Sequence, residues 1–132
     1  MSDPTREDAQ LLIQILGIIT QNKELGDAIN WVAYELNAKT YEEFKEKHPM
    51  GSDELKKFNN FLAIFEFIGV LVNRNLLSVD LIYDAWGDLF WNKTEAIVHG
   101  MRKELQMPRF SENFEVMAKG YPQWAERNPP KI

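Results

Sequence analysis

Residues 58–72 limit most strongly what this chain can become. Leu55, Phe58, Leu62, Phe65, Gly69 and Val72 alternate spacings of three and four, and Phe61, Ile64, Ile68 and Leu71 form a second row beside them. Such spacing is helical. The two rows cover about half of a helix's circumference, and Phe67 and Val70 interrupt the other half. A helix this apolar belongs at the centre of a bundle. No segment shows the sustained alternation, bounded by turn residues, that marks a strand. The fold class is therefore all-α.

Punctuation divides the rest of the chain. Asp3-Pro4 reads as a helix start, a capping acid followed by proline at the first helical position. Leu11, Leu12, Ile15, Leu16, Ile18 and Ile19 follow it. Leu25, Ile29, Val32 and Leu36 form one stripe of a second helix, with Trp31 and Tyr34 off that stripe. Thr40-Tyr41-Glu42-Glu43 has the form of a capping box and opens a third, short helix that Pro49 ends. Ser52 caps the central helix, and Ser78 caps a fifth segment that runs toward Leu105 if Gly87 and Asn92-Lys93-Thr94 do not break it. Ser111 caps a last helix carrying Phe114, Met117 and Ala118. The expectation is one domain over residues 1–132, a compact bundle of five to six helices. Its middle is an antiparallel hairpin of helix 58–72 against segment 78–105, because the 73–77 connection is short. Residues 121–132, with three prolines, read as a loosely packed tail.

Composition excludes several functions. The formal net charge is −5, the wrong sign for attraction to nucleic acid or anionic lipid. Lys39, Lys45, Lys47, Lys56 and Lys57 are interleaved with Glu42, Glu43, Glu46, Asp53 and Glu54, which makes a mixed-charge face. With no cysteine there is no disulfide, thiolate nucleophile or zinc–thiolate site. The opening Met-Ser-Asp-Pro-Thr-Arg-Glu-Asp lacks the basic-then-apolar order of a signal peptide. The longest apolar runs, 11–19 and 61–72, fall short of the ~20 residues that span a bilayer, and Gln14 and Glu66 interrupt them. These features point to the cytoplasm, without a transmembrane segment.

Two polar groupings bear on chemistry. Asn59, Glu66 and Asn73 are seven apart and share one stripe of the central helix. Glu66 lies between two phenylalanines, so its carboxylate needs partners or must neutralise. It is either a ligand-anchoring or proton-transferring group, or a structural carboxylate held by Arg74, Arg102 or a backbone amide of a neighbouring helix. On a continuous fifth helix, Asp80, Asp84, Asp88, Glu95, His99 and Arg102 share one arc. Glu95 and His99 are weak metal candidates. Helical-bundle sites draw carboxylate–histidine pairs from two helices, and the second histidine, His48, stands at a helix end. The arc reads equally as a solvated acidic face. Trp91 projects toward that face and is a candidate contact surface, or else packs under the C-terminal segment. Asn92-Lys93-Thr94 matches a glycosylation acceptor but falls within a helix. No catalytic residue, metal set or cofactor is assigned.

The run Asn59-Asn60-Phe61-Leu62-Ala63-Ile64-Phe65-Glu66-Phe67-Ile68-Gly69 resembles the core of a prokaryotic family of small helical domains, domain-of-unknown-function family 4760. Leu76-Leu77-Ser78-Val79-Asp80, Trp91, Arg102 and the 110–118 segment are similar to the rest of its pattern. The resemblance covers roughly the second half of the chain. It implies a fold and no reaction, because the family has no established activity. Many members carry an N-terminal membrane helix, and the first helix here is too short and interrupted for that form. The reading that follows is a non-enzymatic module acting through protein contacts, with a partner protein or as a homodimer, through surplus apolar surface on the first and fourth helices. The alternatives are a metal- or small-ligand-binding enzyme or sensor using Glu66, Glu95 and His99, and a membrane-peripheral domain using the first helix.

Overall fold

The computed structural model describes residues 3–132, and every described element is helical. In chain order the helices are α1 Arg6–Gln21, α2 Lys23–Tyr34, α3 Tyr41–Lys47, α4 Asp53–Asn73, α5 Val79–Trp86, α6 Trp91–Glu104, α7 Glu112–Lys119 and α8 Tyr121–Arg127. The bundle and its central helix are as the spacing predicts. The count rises above six for two reasons. Gly87, Leu89 and Phe90 all take positive φ (65°, 61° and 62°), which ends α5 and starts α6 in a new direction. The expected tail, in turn, contains α8. Trp124 of α8 is buried and its indole Nε1 donates to Asp80 Oδ1 at 2.6 Å. The tail is therefore docked through Tyr121, Trp124 and Ala125, and residues 126–132 are exposed.

Helix α4 sits at the centre, with Phe58, Phe61, Leu62, Phe65, Ile68 and Gly69 buried. Its main neighbours are α7 and α2, which corrects the expected hairpin with segment 78–105. That segment reaches α4 through aromatic contacts: Trp86 meets Phe65 at 5.9 Å between ring centroids, and Phe90 meets Phe61 at 6.3 Å. Phe114 of α7 packs among Phe61, Phe65 and Trp91. This aromatic cluster is the heart of the core.

Caps fix the helix ends. Helix α1 begins two residues later than Asp3-Pro4 implies, because Thr5 and Asp8 form a full capping box. At α3 only half of the expected box forms. Thr40 accepts the Glu43 N–H, but the Glu43 carboxylate turns to the Lys39 N–H at 3.0 Å. Asn22 alone joins α1 to α2, closing one helix with its backbone and capping the next with its side chain. Lys93, on α6, donates to the carbonyls of Val32 and Ala33 in the last turn of α2. The Asn92-Lys93-Thr94 triplet thus serves packing: Thr94 is fully buried and bonds the Phe90 carbonyl.

Candidate functional site

Helices α3, α4 and α6 enclose a groove of about 640 Å³. Phe44, Leu62 and Met101 form its floor, and Leu55, Leu105 and Phe110 its walls. Gly100 lets α3 come close, since a side-chain carbon at that position would collide with the Tyr41 ring. Lys45 and Glu104 pair at one edge at 2.8 Å, with the Lys45 ammonium 4.9 Å from the centre of the Tyr41 ring. Burial, and the Glu104 carboxylate beside it, push the Tyr41 hydroxyl up from its ordinary range, so it stays a neutral donor. His48 closes one end, its ring edge-on to Trp31 and against Phe44, and its Nδ1 is buried without a hydrogen-bond partner. Met50 and Ala63 lie exposed at the rim.

Glu66 also borders this groove, and its partners are now clear. Oε1 accepts the backbone N–H of Phe114 at 2.9 Å, and Oε2 accepts from the Asn113 amide at 2.9 Å. Phe114 is the third residue of α7, so its N–H is one that an N-cap side chain ordinarily satisfies. The cap residue itself, Ser111, lies at φ 56° and makes no such bond. Glu66 takes over that duty from another helix, where its negative charge also suits the α7 dipole. Asn73 completes the arrangement by donating to the Asn113 carbonyl and side-chain oxygen, at 3.1 and 3.0 Å. Between them, Gly69 leaves room for this approach: a side-chain carbon there would lie 2.6 Å from the Asn113 carbonyl oxygen. Of the predicted stripe, Glu66 and Asn73 are thus joined through Asn113. Asn59 is not part of this network. It lines the groove, exposed.

Neither proposed arginine partner reaches Glu66. Arg74 is exposed at the end of α4. Arg102 donates from Nε and Nη2 to the Phe110 carbonyl and pairs through Nη1 with Glu115 at 2.8 Å. Glu115 is the most strongly held carboxylate. Burial works to raise its pKa, but hydrogen bonds from Lys119, Arg102 and His99 together outweigh that and bring it down to about 2. His99 is therefore engaged by Glu115 of α7, at 3.3 Å, and not by Glu95. Among the described residues no three His, Asp or Glu side chains stand as a metal set. The acidic arc also dissolves at the α5–α6 break: Asp80 binds Trp124, Asp84 pairs with Lys131, and Asp88 accepts the Phe90 N–H. Trp91 is buried against Phe114, so it is a core residue and not a contact surface.

Sequence reasoning missed the groove. Its lining comes from three helices and the loops beside them, whose apolar residues are indistinguishable, in sequence, from those of the core. Tyr41 opposite Gly100 was a signal only in retrospect, since nothing local shows that two residues so far apart meet.

Fold and site together define a small helical domain with one aromatic-centred core and an open apolar groove along its central helix. The chain belongs to the family described as domain of unknown function (DUF4760), whose model matches residues 4–124. The match takes in the first half as well as the motif-bearing second half. No curated protein and no solved structure matches the chain. Among the described residues no helix is long and apolar enough to cross a membrane.

Proposed function

We propose that this protein is a non-enzymatic binding module whose α3–α4–α6 groove takes an uncharged, apolar small molecule. The observation that carries this reading is the groove itself: about 640 Å³ of space with a chiefly aliphatic and aromatic lining. Cavities of roughly 300–1,000 Å³ with such walls and a few polar groups are the usual form of small-molecule sites. Charge selects the ligand. Lys45 is paired with Glu104, and both Glu66 oxygens are occupied by α7, so neither that cation nor that carboxylate is free for a charged ligand. The exposed Asn59 amide and the unpartnered Nδ1 of the His48 ring are hydrogen-bonding groups suited to a hydroxyl or carbonyl on an otherwise apolar body. Glu66 is poorly placed to act as a base, because both of its oxygens already accept hydrogen bonds from α7.

The test uses N-phenyl-1-naphthylamine, an uncharged apolar dye whose fluorescence rises on leaving water. The expected result is a saturable rise with the unmodified chain and binding weakened about tenfold or more in Ala63→Trp, a single contact change of the order of 1.4 kcal/mol or above. Ala63 is exposed at the rim, so the indole fills the groove without entering the core. A superimposable thermal melt of the variant confirms that only the groove has changed. No saturable binding, or equal binding by the variant, removes the proposal.

A further inference from the structure

The groove carries a polar group without a partner at each end. Leu55 and Glu66 line it along α4, about 16 Å apart at the helical rise. His48 stands at the Leu55 end, because a single hydrogen-bonded turn, Pro49 to Ser52, separates it from α4. Ser111 stands at the Glu66 end, because Glu66 binds the Asn113 amide and the Phe114 N–H just beyond it. Ser111 is only 6% exposed, borders the groove, and its hydroxyl makes no hydrogen bond among the described residues. At the start of α7 that oxygen would ordinarily accept the Phe114 N–H, but Glu66 has taken this donor. The backbone at Ser111 is held at φ 56°, ψ 28°, a region that side chains rarely adopt. It is gripped from both sides: Arg102 binds the Phe110 carbonyl at 3.0 and 2.8 Å, and Glu66 binds the Phe114 N–H. A buried polar group without a partner is costly, and strain of this kind persists where the surroundings enforce it. Both observations give Ser111 a partner from outside the chain.

We infer that the ligand is an elongated, uncharged molecule with a hydroxyl at each end, one meeting Ser111 Oγ and the other His48 Nδ1. This rests on the ligand-binding reading above and narrows it. Leu62, Met101 and Leu105 lie between the two ends and ask for an apolar body. A hydroxyl suits both ends because it donates or accepts as its partner requires. Ser111 Oγ can do either, and Nδ1 of a neutral imidazole donates in one tautomer and accepts in the other. A carboxylate head fits worse, since the Glu66 carboxylate stands at the Ser111 end and Lys45 is already paired with Glu104. Nδ1 is covered in the ligand-free chain, so a small rotation of the His48 ring brings it to the ligand. Met50, beside it at this end, is 93% exposed and does not block that rotation.

The experiment is displacement of the naphthylamine dye from the full chain by decanediol, with a hydroxyl at each end, and by decanol, with one. The variants are Ser111→Ala and His48→Phe. Neither breaks a hydrogen bond within the described residues, and phenylalanine keeps a ring against Trp31 and Phe44. Thermal melts and dye affinity are expected to match those of the unmodified chain. Each variant is expected to weaken decanediol by about threefold to tenfold, the worth of one hydrogen bond. Decanol is expected to lose affinity in one variant at most. Dye binding by all three proteins with equal decanediol affinity, or no displacement by decanediol, overturns the two-ended ligand and leaves the groove reading standing. Equal losses for decanol and decanediol in both variants overturn it as well, because they report altered packing. A chain that binds no dye removes the groove reading and this inference with it.

Discussion

Glu66 of α4 accepts the Phe114 N–H at 2.9 Å, so the start of α7 is capped by a residue 48 positions earlier in the chain. The contact ties the central helix to the one that carries Phe114 into the aromatic core. An N-cap is ordinarily local and replaceable. This one is both cap and tertiary anchor, and it does its work beside the groove.

Removing that cap has a defined consequence. Glu66→Ala leaves the Phe114 N–H and the Asn113 amide without acceptors. A lost cap costs about 1–2 kcal/mol. Chemical denaturation is expected to show a loss at the upper end of that range or somewhat above it, because two donors are orphaned. Glu66→Gln retains one acceptor and should fall between. A Glu66→Ala protein as stable as the original would show that the contact is incidental.

Gly69→Ala is a sharper test of the same junction. On propensity alone, alanine in a helix interior gains about 1 kcal/mol over glycine. Here the added carbon would lie 2.6 to 2.9 Å from the backbone of Asn113 and Phe114, which cannot rotate away. Helix α7 must shift, and overpacking of this kind costs about 1–3 kcal/mol or more. The expected melt is lower than that of the unmodified protein, the reverse of the propensity effect.

Acid unfolding reports on Glu115. Its pKa is held at about 2 in the folded protein, against an ordinary 4.5. A depressed folded pKa contributes stability that is present above the unfolded value and is lost as the pH falls from about 5 toward 2. Glu115→Gln should flatten this limb of the stability profile and cost about 1–2 kcal/mol at neutral pH. That is less than the full shift implies, because Lys119 and His99 are exposed and screened. The measurement is urea unfolding at a series of pH values. An unchanged acid limb would falsify the assignment.

The C-terminal segment is expected to be integral. Trp124→Ala removes a buried indole that packs on Tyr83 and Tyr121 and donates to Asp80. Burial of a tryptophan is worth about 3–5 kcal/mol on truncation to alanine. Truncation after residue 120 should cost at least as much. Truncation after residue 128 leaves the indole in place and removes only exposed residues, with the Lys131–Asp84 pair the sole bridge lost, so the melt should hardly move.

Much of the fold was legible because it depends on local chemistry. The three-and-four spacing of residues 55–72 specifies a helix, and its apolar circumference specifies the centre. Ser52 caps α4 as its position suggests, accepting the Leu55 N–H. The break after Trp86 was visible as Gly87. That Leu89 and Phe90 would also take positive φ was not, since side chains of that size adopt it only when packing compensates, and both go into the core. The tail misled because three of its twelve residues are proline. Pro122 in fact occupies the first turn of α8, where proline is tolerated, and Trp124 supplies the anchor.

The sequence by itself determined that the chain is helical, which helix is central, and that Glu66 must find partners in an apolar run. Those are consequences of periodicity and of the cost of burying a charge, and neither needs a neighbour to be named. Only the tertiary structure decided what the partners are. The α7 start meets Glu66 because Gly69 admits its backbone and Ser111 leaves it uncapped, a complementarity between segments more than forty residues apart. The groove is likewise a product of which apolar surfaces the packing covers and which it leaves open. Chain order holds no record of that choice, because covered and uncovered surfaces are built from the same residues.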